Sequence, residues 1–181
     1  MTIDLDTFKA GMRRLAGHVC VITTTGADGS RNGLTATAVC SVSATPPTLL
    51  CCINRESASH GVIRNAGVFT VNVLALEDRE LADRFSSGPA GEARFVSGVW
   101  DKGETGAPAL RSALASFDCR VAQAVDVGTH GILFGHIHAL RVREGDVKPL
   151  LYAHGQYGEF TSLAARQVES LWIPSWDGAH L

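Results

Sequence analysis

The chain has 181 residues, with 16 Lys plus Arg against 18 Asp plus Glu and a formal net charge of −2. A chain of this length buries one good core, so a single domain over residues 1–181 is expected, and the near-neutral charge argues against nucleic acid or an anionic membrane surface as partner. No apolar run reaches signal or membrane-span length, and Cys20, Cys40, Cys51, Cys52 and Cys119, an odd count without framework spacing, read as reduced thiols of a cytoplasmic protein with no metal site.

Between Asp4 and Ala16, Leu5, Phe8, Met12 and Leu15 recur at helical spacing, with Asp4 as an N-cap and Gly17 as a stop. The β-branched run HVCVITTT (18–25) and the turn chemistry of Ala27-Asp28-Gly29-Ser30 predict a hairpin whose first strand is buried on both sides. The stretch NGLTATAVCSVSATPPTLLCCINR (32–55) reads as two extended segments around a Pro-Pro turn. Period-two alternation sets Thr35, Thr37, Ser41 and Ser43 on one face, and Leu34, Ala36, Ala38, Cys40 and Val42 on the other, which is expected to be buried. Four small hydroxyl residues offer hydrogen bonds without bulk to a flat, polar-edged ligand.

After Arg55, ESASHGVIRNAG reads as a helix capped at Ser57 or Ser59 and ended by Gly67, VFTVNVLA (68–75) as a strand, and EDRELADRF (77–85) as a helix with acids in its first turn. The glycine-rich segment 86–108 is expected to be a loop with one helical turn at most. Two long strands follow, 113–127 and 131–143, the second placing Ile132, Phe134, His136, His138, Leu140 and Val142 on one face. His136 and His138 have no third ligand in view, so they read as packing rather than metal-binding residues. A short strand at 149–153 leads to His154-Gly155-Gln156-Tyr157. The tail 161–181 carries one helical pattern and the apolar run Leu171-Trp172-Ile173-Pro174-Ser175-Trp176, which is expected to cover a dimer contact or a site mouth. About seven strands and few helices predict a mainly β, β-rich α+β barrel. GxGxxG after a strand and GxxxxGK[ST] are both missing, so neither a Rossmann site nor a P-loop is indicated.

The succession GLTATAVCSVSATPPTLLCCINRESASHGVIRNAGVFTVNVLA (33–75), LADRFSSG (81–88), HGILFGHI (130–137) and LYAHGQYG (151–158) resembles the short-chain flavin reductases, the reductase components of two-component flavin-dependent monooxygenases. The resemblance spans about residues 5–160. It implies a split β-barrel of the FMN-binding type with flanking helices, a homodimer, and reduction of FMN or FAD by hydride transfer from NADH or NADPH for a separate monooxygenase. It further implies flavin contacts from Thr35, Ala36, Thr37, Ala38 and Ser41, with Cys52 on the following strand. Asn54, Arg55, Ser57, Ser59 and His60 would meet the ribityl and phosphate arm, and Phe85 with Ser86 the next flavin position. Relatives carry a basic residue soon after that point; here Gly88-Pro89-Ala90 follow, leaving Arg94 as the substitute. His130 would position the nicotinamide, and His154, Gly155, Gln156 and Tyr157 would flank it. Small residues permit backbone approach to an isoalloxazine ring, and a capped helix start with Arg55 suits an anion. Hydride transfer needs ring proximity rather than a base.

Other readings of the same residues are a non-catalytic flavin- or haem-binding split barrel, an oxidase of the pyridoxamine-phosphate type, which would need several Arg and Lys around one phosphate, and a flavin-free interaction module.

Overall fold

The computed structural model describes residues 3–162. In chain order its elements are α1 (Leu5–Met12), β1 (Gly17–His18), β2 (Cys20–Thr25), β3 (Arg31–Ala36), β4 (Val39–Ala44), β5 (Pro47–Asn54), α2 (Ala58–Ala66), β6 (Val68–Val73), α3 (Arg79–Ser87), β7 (Trp100–Lys102), β8 (Pro108–Leu110), β9 (Ala115–Val127), β10 (His130–Val142), β11 (Leu150–Ala153) and β12 (Gln156–Glu159). Single 3-10 segments stand at Leu76–Asp78 and Gly91–Val96.

Seven of these strands form one antiparallel sheet in the order β3-β2-β6-β9-β10-β5-β4. Its two edge strands, β3 and β4, are consecutive in the chain and separated only by Thr37 and Ala38. The sheet is therefore brought round on itself by covalent connection, and the barrel is split where β3 hands over to β4. Curvature comes from shifts of register between β9 and β10 at Phe134/Gly135 and Ile137/Ala139, since a bulge bends its strand and increases twist. At the first of them a Cβ on Gly135 would lie 2.4 Å from Phe69 Cζ, so the close approach of β10 to the core requires glycine there.

The interior holds two apolar clusters. One joins Ile22, Leu49, Ile53, Ile63, Phe69 and Leu133 inside the barrel; the other joins Val19, Leu74, Phe85, Phe95 and Leu110 beneath α3. β2 is buried along nearly its whole length, as its apolar run predicts. A smaller sheet, β1-β11-β12, stands at one end of the barrel.

Several expectations change. The segment 86–108 is not simply a loop: β7 and β8 pair, and long-range hydrogen bonds dock the connection on the barrel. Thr23 Oγ1 donates to the Pro108 carbonyl (2.5 Å), Leu110 N–H to Asn72 Oδ1 (2.8 Å) and Thr105 N–H to Asp118 Oδ2 (2.8 Å). The predicted opening helix ends at Met12, because Arg14 and Leu15 bond to carbonyls three residues back, and no residue of it is buried. The apolar face expected over Leu34–Val42 does not form: the strand stops at Ala36, resumes at Val39 on the opposite edge of the sheet, and leaves Cys40 and Val42 exposed. Alternation on β10 also resets, because His138 falls in the register shift between Ile137 and Ala139. The tail with Trp172 and Trp176 lies outside the described residues. Among the described residues no helix is long and apolar enough to cross a membrane, and no group of three His, Cys, Asp or Glu stands within reach of one metal ion.

Candidate active site

A cleft of about 850 Å³ opens at the split of the barrel. Its floor is the end of β3 with the Thr37-Ala38 junction, backed by Cys52 and Asn54 of β5. Junction and floor are tied together, since Cys52 N–H donates to the Ala38 carbonyl (2.9 Å). Thr35 Oγ1 donates to the Ala82 carbonyl (2.7 Å), which fixes β3 against α3. Ala36 and Ala38 keep the floor shallow, and Thr37 and Ala38 belong to neither strand, their carbonyls accepting instead from the Val39 N–H (3.1 Å) and the Cys52 N–H (2.9 Å).

One wall is α3, which presents Arg79, Asp83 and Ser86 at i, i+4 and i+7. The other is the β11–β12 hairpin. Its two-residue turn has His154 at φ 54° and Gly155 at φ 79°, the two positive values a type I′ turn demands. The His154 N–H donates to the Arg13 carbonyl just after α1 (2.8 Å), anchoring the hairpin so that Gly155, Gln156 and Tyr157 face the cleft with Tyr152. The Tyr152 and Tyr157 rings meet edge to face, 5.5 Å between centroids. Burial, and after it hydrogen bonding to Asp83, push the Tyr157 hydroxyl up to about 12, so it stays a protonated donor at neutral pH. His130 closes the far end as the first residue of β10, directly across from Asn54 of β5; its Nδ1 is 2.9 Å from Thr129 Oγ1.

Eleven residues singled out from sequence thus converge: Thr35, Ala36, Thr37, Ala38, Cys52, Asn54, Ser86, His130, Gly155, Gln156 and Tyr157. The others stand outside the lining. Ser41 is exposed on β4, beyond the split. Ser57 begins α2 without a side-chain capping bond. Ser59 Oγ, buried, donates to the Gly33 carbonyl (3.0 Å), and Phe85 is fully buried, with its ring 5.1 Å from that of Phe95. His60 is buried behind Gly131, its Nε2 without a hydrogen-bond partner among the described residues. His154 shapes the turn rather than the wall. Arg55 bonds the Gly128 carbonyl and lies 3.9 Å from Asp126. Arg94 is spent on the carbonyls of Pro89, Gly33 and Gly88.

Sequence reasoning missed Val19, Leu34, Arg79, Asp83 and Tyr152, which also line the cleft. The signal for two of them was available: counting back from Ser86 by helical spacing gives Asp83 and Arg79 on the same face. An open cleft of this volume, floored by small residues and walled by tyrosines, a cation and a carboxylate, has room for a flat heteroaromatic ring system and a second ring against it.

Residues 12–161 match the family model described as Flavin reductase like domain. The chain is 43% identical over 150 residues to "FMN reductase (NADH) RutF" of Agrobacterium fabrum, covering 83% of this chain and 85% of that protein. Among solved structures, a flavin reductase domain protein from an Arthrobacter species superposes with TM-score 0.80 at 31% identity, covering 89% of this chain and 98% of that one. BorF, the flavin reductase component of a bacterial two-component tryptophan halogenase, does so with TM-score 0.80 at 31% identity, over 88% of this chain and 100% of its own.

Proposed function

The chain belongs to the flavin reductase-like domain family and is a nicotinamide-dependent flavin reductase, and we propose that it takes FMN as flavin and NADH as donor and supplies reduced flavin to a separate monooxygenase. The observation that carries the choice of FMN and NADH is the 43% identity, over most of both chains, to a relative named for that pair. The likeness to a two-component reductase supports the monooxygenase as consumer.

When both are bound, nicotinamide supplies a hydride that the flavin accepts. The chain's own part is positional. Thr35, Ala36, Thr37 and Ala38 offer the ring a close backbone surface, and Cys52 and Asn54 lie behind it. Asn54, in the cleft lining, would meet the ribityl arm. The Tyr157 hydroxyl is a donor that does not ionise at neutral pH, and Gly155 admits a second ring without a side chain in the way. His130, across from Asn54, would orient the nicotinamide. No general base is called for, because no proton is taken from carbon.

We also propose a homodimer. Its support is apolar surface left exposed on α1 and the long hairpin: Leu5 is 62% exposed, Phe8 53%, Val127 58% and Val142 64%. The family match ends at residue 161, which supports reading the rest of the chain as an extension appended to one reductase unit. Five free thiols support a reducing, cytoplasmic compartment.

Initial rates of NADH oxidation by purified protein against rising FMN or FAD test the substrate choice. Saturation at lower FMN than FAD is expected; an equal or reversed order would remove FMN as the preferred flavin.

A further inference from the structure

The one cation on the cleft wall makes no ion pair among the described residues. Arg79 opens α3 and lines the cleft, and its guanidinium carbon lies 5.7 Å over the Tyr157 ring, a contact that orients a cation without neutralising it. Its neighbours in charge are committed. Arg55 and Arg64 both turn to Asp126, and Arg94 is saturated by backbone carbonyls. Among the described residues Arg79 makes no ion pair. Asp83, one turn further along α3, lines the same wall and likewise makes no ion pair with Arg79.

A guanidinium held by a ring face, with its donors uncommitted and open to a ligand cleft, has the form of an oxyanion receptor: its planar fork matches two oxygens of one phosphate. We infer that Arg79 binds a phosphate group of the nucleotide substrates, in first place the pyrophosphate of the nicotinamide dinucleotide. The geometry behind this is the stack on Tyr157, the residue that flanks the donor's ring in the reading above, on which the inference rests. The FMN phosphate is the second source of the same chemistry. Either way, Arg79 sets how strongly the enzyme prefers nucleotides to the corresponding ribosides and touches neither reacting ring.

The test crosses two donors, NADH and the phosphate-free dihydronicotinamide riboside, with two acceptors, FMN and riboflavin, in wild type, Arg79→Gln and Arg79→Lys. In Arg79→Gln the KM for NADH should rise about tenfold, the size of one lost charge-assisted hydrogen bond, while the KM for dihydronicotinamide riboside stays within about twofold; Arg79→Lys should recover part of the loss. A rise confined to FMN, sparing riboflavin and both donors, assigns the same role to the flavin phosphate. Equal changes with phosphate-bearing and phosphate-free substrates, or none with any, overturn the inference. Wild-type protein that oxidises NADH with neither flavin would overturn the reductase reading itself, an outcome separate from any result on the variants.

Discussion

Gly33→Ala tests the coupling between core and cleft. Gly33 is buried on β3, one residue before the cleft floor begins. A Cβ there would stand 2.8 Å from the Ile22 carbonyl oxygen and 2.9 and 3.2 Å from two ring carbons of Phe85. Neither neighbour can yield cheaply: the Ile22 carbonyl belongs to the central ladder, and Phe85 is wedged against Phe95 and Trp100 at 5.1 and 5.5 Å. β3 must therefore move outward, straining the bonds that the Gly33 carbonyl accepts from Ser59 (3.0 Å) and Arg94 (2.6 Å). Overpacking of this kind costs about 1–3 kcal/mol, and at roughly 2–4 °C per kcal/mol for a chain of this size the melting temperature should fall by about 4–8 °C for a mid-range cost. The same shift carries Leu34 to Ala38 with it, so the KM for FMN should rise. Thermal melting and FMN titration are the assays, with Gly158→Ala as control, where nothing lies within 4 Å of the added carbon. Gly33→Ala protein that melts and binds like wild type would refute the reasoning.

Two further predictions concern titrating groups. Burial, with Arg64 and Arg55 assisting against Asp126, holds the His60 imidazole below its ordinary range; stability should be complete above about pH 6.5, where the unfolded imidazole is neutral too, and fall as pH drops through the folded-state value. Denaturation across that window should show a smaller loss for His60→Gln, with part of the slope remaining because burial depresses His18 as well; an unchanged slope would contradict the assignment. Burial also raises Cys20 and Cys119 to about 12 and pushes Cys51 up further. An aromatic disulfide reagent should therefore label exposed Cys40 in the native protein and half-buried Cys52 more slowly, the other three reacting only after denaturant; native labelling of all five would disprove the packing.

The fold was readable from sequence where the chain is regular over several residues. β2 is β-branched and buried nearly throughout, β9 and β10 run for 13 residues each, and the stop at Gly67 after α2 is a left-handed cap with φ 69°. What escaped was decided by distant partners. β7 and β8 are three residues each, too short for any periodicity, and exist because Thr23, Asn72 and Asp118 receive them. A hydroxyl face over Thr35–Ser43 requires a continuous strand, whereas the barrel splits at Thr37 and Ala38 and parity starts afresh; Thr35 reaches α3 while Ser41 stands on the other edge. The apolar stripe of α1 was legible, but the stripe alone does not say that the described residues leave it uncovered. At the cleft, the small-residue floor and the His-Gly turn carry local signatures, while Tyr152 and Arg79 face it only because β11 and α3 are packed where they are.

The most direct measurement is anaerobic mixing of purified protein with equimolar NADH and FMN. The account predicts that the yellow flavin absorbance bleaches in step with NADH oxidation, one flavin reduced per NADH, at a rate set by protein concentration. NADH and FMN that persist together in the presence of folded protein would contradict it.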